Sequence, residues 1–189
     1  MTATDFVFGY GSLVFNLRER PSRTPDPGGF VTHLGDVRRA WNVAMDNHAD
    51  IPGYKYYLAP DGSRPAVYVA FLDLVPSSGG SVNGLCRPVA EDELPILDRR
   101  ERNYTRLEVT GRIDAPLGRT WIYVGSPAGR ERLRRGSEAG SAVVTREYLD
   151  RVVGGFEALG PDERRRFEGS TDPRPFPVLD LERIDLPHP

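Results

Sequence analysis

The sequence predicts an α+β fold: a small mixed β-sheet, curved or closed like a barrel, with helices packed outside it. Three observations point there. Runs with strand character outnumber runs with helical periodicity. The two kinds do not alternate regularly, which disfavours a doubly wound parallel sheet. At 189 residues, 39% hydrophobic and 28% charged, the chain has about the length of one domain and a globular composition. Residues 1–189 therefore read as a single domain, with 161–189 a proline-rich C-terminal extension packed on it.

Each element has its local reason. Phe6-Val7-Phe8 is a short, buried, central strand that stops at Gly9-Tyr10-Gly11-Ser12. Residues 18–29, dense in proline, glycine and charge, read as a loop. Val31 to Met45 reads as a strand with polar interruptions, and Asp46 to Tyr54 as a second loop. Ala66 to Val75 and Ser81 to Val89 are strong strands, with the turn-forming residues Pro76 to Gly80 connecting them. Glu91 to Arg100 predicts a short helix, with Leu94 and Leu97 on one face and acidic residues in the first turn. Pro95 fits only in or near that first turn. Arg106 to Ile113 and Arg119 to Gly125 are two more strands. Gly125 to Ala142, basic and glycine-containing, reads as a solvated surface loop rather than a lid. A last helix runs from a Thr145 N-cap to Leu159, with Tyr148, Leu149, Val152, Phe156 and Leu159 as its apolar stripe. Gly160-Pro161 ends it, and Asp172 to Pro189 is expected to wrap the surface in extended form.

Composition excludes several functions. A net charge of −2 gives no footprint for nucleic acid or an acidic membrane. Arginine supplies nearly all the positive charge; Lys55 is the only lysine. One cysteine, Cys86, permits no intrachain disulfide and no cysteine metal cluster, and three scattered histidines do not make a zinc site. The N-terminus lacks a basic segment followed by an apolar core, and no run approaches the ~18 apolar residues of a membrane span. These features predict a cytoplasmic monomer or homodimer without cofactor or metal, and with no nucleic-acid or membrane partner.

Two stretches carry chemistry. In the first, Gly9-x-Gly11 starts like a dinucleotide fingerprint, but Val14 stands where the third glycine belongs and no βαβ unit follows. Ser12 is not the serine of a G-x-S-x-G elbow, and His33, His48 and His188 supply no motif for its base. A glycine-flanked turn can instead aim backbone N–H groups into an anion-binding nest; these residues alone read equally well as that or as a plain tight turn. In the second stretch, residues 94–109, a helix leads into Asp98-Arg99-Arg100-Glu101, with Tyr104 opening the next strand. Taken alone, Glu101 reads as one more solvated or paired carboxylate.

Together the stretches resemble the γ-glutamylcyclotransferase-like superfamily. Its opening strand ends in Y-G-S-L or Y-G-S-N, here Tyr10-Gly11-Ser12-Leu13; its second motif is L-D-x-R-E followed by a tyrosine, here Leu97-Asp98-Arg99-Arg100-Glu101 and Tyr104. Leu74-Val75-Pro76 and Ser81-Val82-Asn83-Gly84 are similar to its hairpin. The resemblance covers about residues 5 to 125 and, more loosely, the helix near Thr145. It implies a single γ-glutamylcyclotransferase-like domain in which Tyr10, Gly11, Ser12 and Leu13 form the substrate loop. It makes Glu101 the general acid/base and Tyr104 a neighbour of the substrate. It implies a cofactor-independent transferase or lyase that releases 5-oxoproline from a small γ-glutamyl substrate. Candidate substrates are glutathione, γ-glutamyl amino acids, γ-glutamyl amines and a protected biosynthetic intermediate; Leu13 in place of asparagine leans towards the glutathione-acting branch. The alternative is a non-catalytic member that binds a small carboxylate. The reading expects Glu101 and the turn to line one pocket, and Asp98 to be a paired, structural carboxylate.

Overall fold

The structure, a computed structural model, describes residues 5–19, 29–51, 54–113 and 118–186. Strand β1 (Asp5–Gly9) is buried along its whole length because both its edges and both its faces are covered. It pairs antiparallel with β4 (Tyr68–Val89) and parallel with β6 (Arg119–Gly125). Side chains alternate across a strand, so Phe6 and Phe8 enter one apolar core with Leu34, Val82, Cys86 and Ile122 while Val7 enters the other. The sheet runs β5 (Tyr104–Glu108), β6, β1, β4, β7 (Ala142–Thr145), β8 (Val178–Leu179), with β2 (Phe30–Asp46) also paired to β4. It is mixed and strongly curled into a half-barrel, as the sequence predicts. A separate ribbon joins β3 (Lys55–Leu58) to β9 (Glu182–Asp185).

Ala66–Val75 and Ser81–Val89 are not two strands of a hairpin. From Tyr68 on, they are the two ends of β4, which pairs with β2 on both sides of an irregularity. Gly35 faces Ser81 and Val37 faces Pro76, so Ser77 to Gly80 stand opposite the single residue Asp36. The Asp36 carboxylate accepts the Gly79 N–H. The turn chemistry of that segment is spent on a bulge, which bends a long strand rather than reversing it.

Helix α1 (Ser12–Glu19) runs into the first two residues of the stretch 18–29 read as a loop, and residues 20–28 of that stretch lie outside the described residues. A 3₁₀ turn over Glu91–Glu93 leads into α2 (Leu94–Arg100), which has Pro95 in its first turn and buries Leu94 and Leu97 as expected. Strand character ends at Glu108, short of the predicted Ile113, because the chain turns at Thr110-Gly111; Ile113 returns only as a lone bridge to Leu34.

The expected loop at 125–142 is mostly helix α3 (Pro127–Glu138). The Ser126 hydroxyl caps it, accepting the Gly129 N–H, and Glu131 pairs with Arg134 and Arg135. Only Leu133 anchors it apolarly, helped by Gly136, where a Cβ would come within 2.6 Å of Tyr68. Helix α4 (Arg146–Glu157) starts at the predicted Thr145 cap and buries Tyr148, Val152 and Phe156. Gly160-Pro161 ends it but also opens α5 (Pro161–Gly169), which the proline-rich reading of the tail did not include. Beyond α5 the chain is extended, touching the sheet through β8 and lying along β3 through β9. Among the described residues no helix is long and apolar enough to cross a membrane.

Candidate active site

The strand-to-helix turn after β1 builds one wall. Tyr10 is buried, and its hydroxyl donates to the Tyr123 carbonyl of β6 at 2.5 Å. Its own carbonyl accepts from Arg39 Nε at 2.6 Å. Arg39, on β2, is fully buried against the rings of Phe156 and Phe167 and also bonds Asn83 and Ser170. Burial lowers its guanidinium to about 9, still well above neutrality, so it remains a fixed cation holding the turn. The sequence reading passed over it as one polar interruption of a strand.

The opposite wall is the end of α2. Glu101 is its C-cap, bonded by its N–H to the Leu97 carbonyl, and its carbonyl accepts the Tyr104 N–H at 2.8 Å. This tight turn aims the side chain back towards β1, with 14% of it exposed. The Arg100 guanidinium stands 3.9 Å from the Glu101 carboxylate. Asp98, three residues earlier, points elsewhere. It accepts from the Tyr123 hydroxyl at 2.8 Å and pairs with Arg106 at 3.1 Å, the pairing expected of it. Asp98 therefore pins α2 to the sheet, and so sets the position of Glu101.

Tyr10, Gly11, Ser12 and Leu13 meet Glu101 and Tyr104 around one small recess of about 20 Å³, although about ninety positions separate the two motifs. Leu72, Tyr123 and Tyr148 complete it. Both peptide groups of Leu72 are used: the Tyr104 hydroxyl donates to its carbonyl at 2.8 Å, and its N–H donates to the Tyr148 hydroxyl at 3.1 Å. Ser12 also hydrogen-bonds Tyr148. Burial raises the phenols of Tyr10, Tyr104 and Tyr148, so all three stay protonated. Tyr148 was read only as part of an apolar stripe; a tyrosine at a core position, whose hydroxyl must find a polar partner when buried, was the available signal.

Beside the recess lies a chamber of about 990 Å³. Ser12, Glu101, Tyr104 and Tyr148 line both spaces. The chamber's other walls come from β3 (Lys55, Tyr57), α4 (Glu147, Arg151) and β9 (Arg183, Asp185). Lys55, Arg99, Arg100, Arg102, Arg151 and Arg183 face it, against the carboxylates of Glu101, Glu147 and Asp185. None of β3, α4 or β9 was assigned to a site from sequence. The remaining candidates fall outside: His33 contacts Arg166, and burial pushes the Cys86 thiol up to about 12, leaving it a core side chain.

The family model described as gamma-glutamyl cyclotransferase, AIG2-like, matches residues 7–141. The chain belongs to that family. Two solved structures share the fold, each at 15% identity and TM-score 0.51 over 92% of this chain. One is a gamma-glutamyl cyclotransferase, covered to 90%; the other is the human uncharacterised protein loc79017, covered to 91%. No curated protein matches the sequence. The family match spans both motifs and ends before α4 and β9, so the recess is built mainly of matched residues and about a third of the chamber lining is not.

Proposed function

We propose that this cyclotransferase-family chain is a γ-glutamylcyclotransferase: it converts a γ-glutamyl amide into 5-oxoproline and a free amine, with Glu101 as general acid/base. The observation that carries this is the meeting of the shielded Glu101 side chain with the Tyr10–Leu13 turn around one recess, with Glu101 also lining the chamber. A recess of about 20 Å³ holds roughly one water, so it takes an oxygen of the substrate, not a whole glutamyl group. The body of the substrate lies in the chamber.

The reaction needs the α-amine to attack the γ-carbonyl of the same molecule. Folding the glutamyl group into attack geometry can contribute on the order of 7–11 kcal/mol to lowering the barrier. Glu101 takes a proton from the α-ammonium, the amine forms the ring C–N bond, and the carbonyl oxygen gains negative charge. The phenol of Tyr148 and the N–H groups at the start of α1 are the donors nearest that charge. The amide C–N bond then breaks as its nitrogen receives a proton. General acid–base help of this kind is typically about 10²–10⁴ in rate.

The test is 5-oxoproline release from glutathione, γ-glutamyl amino acids and γ-glutamyl amines. Release from at least one, lost in Glu101→Gln, is expected. A protein that gains thermal stability from γ-glutamyl ligands yet releases nothing is the non-catalytic binder instead.

A further inference from the structure

Lys55 sits in the wall of the chamber that Glu101 also lines, on the short strand β3 with β9 paired along it. It is the only lysine among 25 lysines and arginines. Everywhere else the chain uses arginine, a cation that cannot release its proton in a protein. The Lys55 ammonium lies 4.7 Å from the Phe71 ring centroid, 5.7 Å from Tyr54 and 5.9 Å from Tyr57. It is thus a cation held by ring faces, lining the same chamber as Glu101.

We propose that Lys55 is the acid that protonates the departing nitrogen, leaving Glu101 as the base; this rests on the cyclisation reading above. The balance is simple. The ring nitrogen starts with three hydrogens and ends with one. One proton goes to Glu101 before attack. Lys55 gives a proton to the leaving nitrogen as the amide C–N bond breaks and its electron pair goes to that nitrogen. The neutral Lys55 amine then takes the second ring-nitrogen proton, and Glu101 returns its own to solvent. An arginine at this position would supply charge but no proton.

The surroundings suit that role. Burial lowers the Lys55 amine to about 7, and Arg183 of β9 and Arg100 at the end of α2 push the same way. Glu101 and Glu147 of α4 pull it back up. Near neutral pH the group is therefore able both to give and to take a proton.

The experiment compares two leaving groups. Butylamine leaves only when protonated; p-nitroaniline leaves without help because its ring delocalises the electron pair. With γ-glutamyl-butylamide, Lys55→Met and Lys55→Arg should each lower kcat by about 10²-fold, and the basic limb of its pH profile should vanish. With γ-glutamyl-p-nitroanilide both should lose less than about threefold. Equal losses on the two substrates, or an active Lys55→Arg on the butylamide, overturn the proposal. If the parent releases no 5-oxoproline from either compound, the cyclisation reading itself fails, and is seen to fail before any variant is made. A second measurement needs no turnover. In protein labelled only at lysine, the single side-chain signal should titrate near pH 7 and move lower in Glu101→Gln, which removes a charge that raises it. A midpoint near the ordinary lysine value of about 10.4 overturns the proposal.

Discussion

The recess and the chamber share Glu101 but are held together by different means. Around the recess the polar side chains bond chiefly to backbone: Tyr10 to the Tyr123 carbonyl, Tyr104 and Tyr148 to the two ends of Leu72, Arg39 to the Tyr10 carbonyl. Backbone partners belong to the sheet and cannot move without it. Around the chamber the charged groups bond chiefly to one another. Arg183 pairs with Asp185 and Arg151 with Glu147, each about a quarter exposed or more. Such side-chain pairs contribute little to stability, commonly ~0–1 kcal/mol, and can exchange partners with a ligand. On the proposed cyclisation reading, geometry of reaction belongs to the recess and choice of leaving group to the chamber.

The sharpest way to break that division is Glu101→Gln. It keeps shape and hydrogen bonding but removes the titrating proton, so turnover should fall by about 10²–10⁴ or more while the melting temperature and ligand-induced stabilisation stay near the parent's. An active Glu101→Gln would mean that the wrong carboxylate has been named. Next in size is Gly11→Ala. The added Cβ would sit 3.5 Å from the Tyr148 hydroxyl, an ordinary contact, so the protein should fold. It would nevertheless occupy a recess of about 20 Å³, and kcat/KM should drop roughly tenfold or more for every substrate alike, about 1.4 kcal/mol per tenfold. A loss confined to one leaving group would blur the boundary between the two spaces.

Arg183→Gln tests the other side. It removes a chamber charge whose present partner is Asp185. KM should change by several-fold for substrates whose amine half is anionic and stay within about twofold for γ-glutamyl-butylamide, with kcat held throughout. Equal changes in kcat would move Arg183 into the reaction geometry. The smallest effect belongs to Asp98→Asn. The Tyr123 hydroxyl keeps an acceptor while the half-exposed pair with Arg106 is lost, so stability should fall by about 1 kcal/mol or less, with turnover retained.

How far the sequence could be read depended on how local the cause was. Pro95 in the first turn of α2 and Thr145 at the start of α4 follow from the missing N–H of proline and the capping hydroxyl of threonine, both properties of one turn. Helix α3 was misread because its one apolar anchor, Leu133, leaves no stripe to see; a cap and ion pairs hold it instead. Pro76 to Gly80 offered real turn chemistry, and only the partner strand β2, continuing past it, turned a reversal into a bulge.

The same division runs through the site. The strand that stops at Tyr10-Gly11-Ser12 and the carboxylate at a helix end before Tyr104 are written in consecutive residues, so sequence alone determined the catalytic candidates and the family they resemble. Tertiary structure decided what those residues face. It set the Tyr148 hydroxyl beside Ser12, laid β9 along β3 to wall the chamber, and placed Lys55 over three aromatic rings. The physical reason is that desolvation and Coulomb interaction depend on distance in space. The groups that set the behaviour of Lys55 lie at Glu101, Glu147 and Arg183, up to about 130 positions along the chain, where no local pattern could announce them.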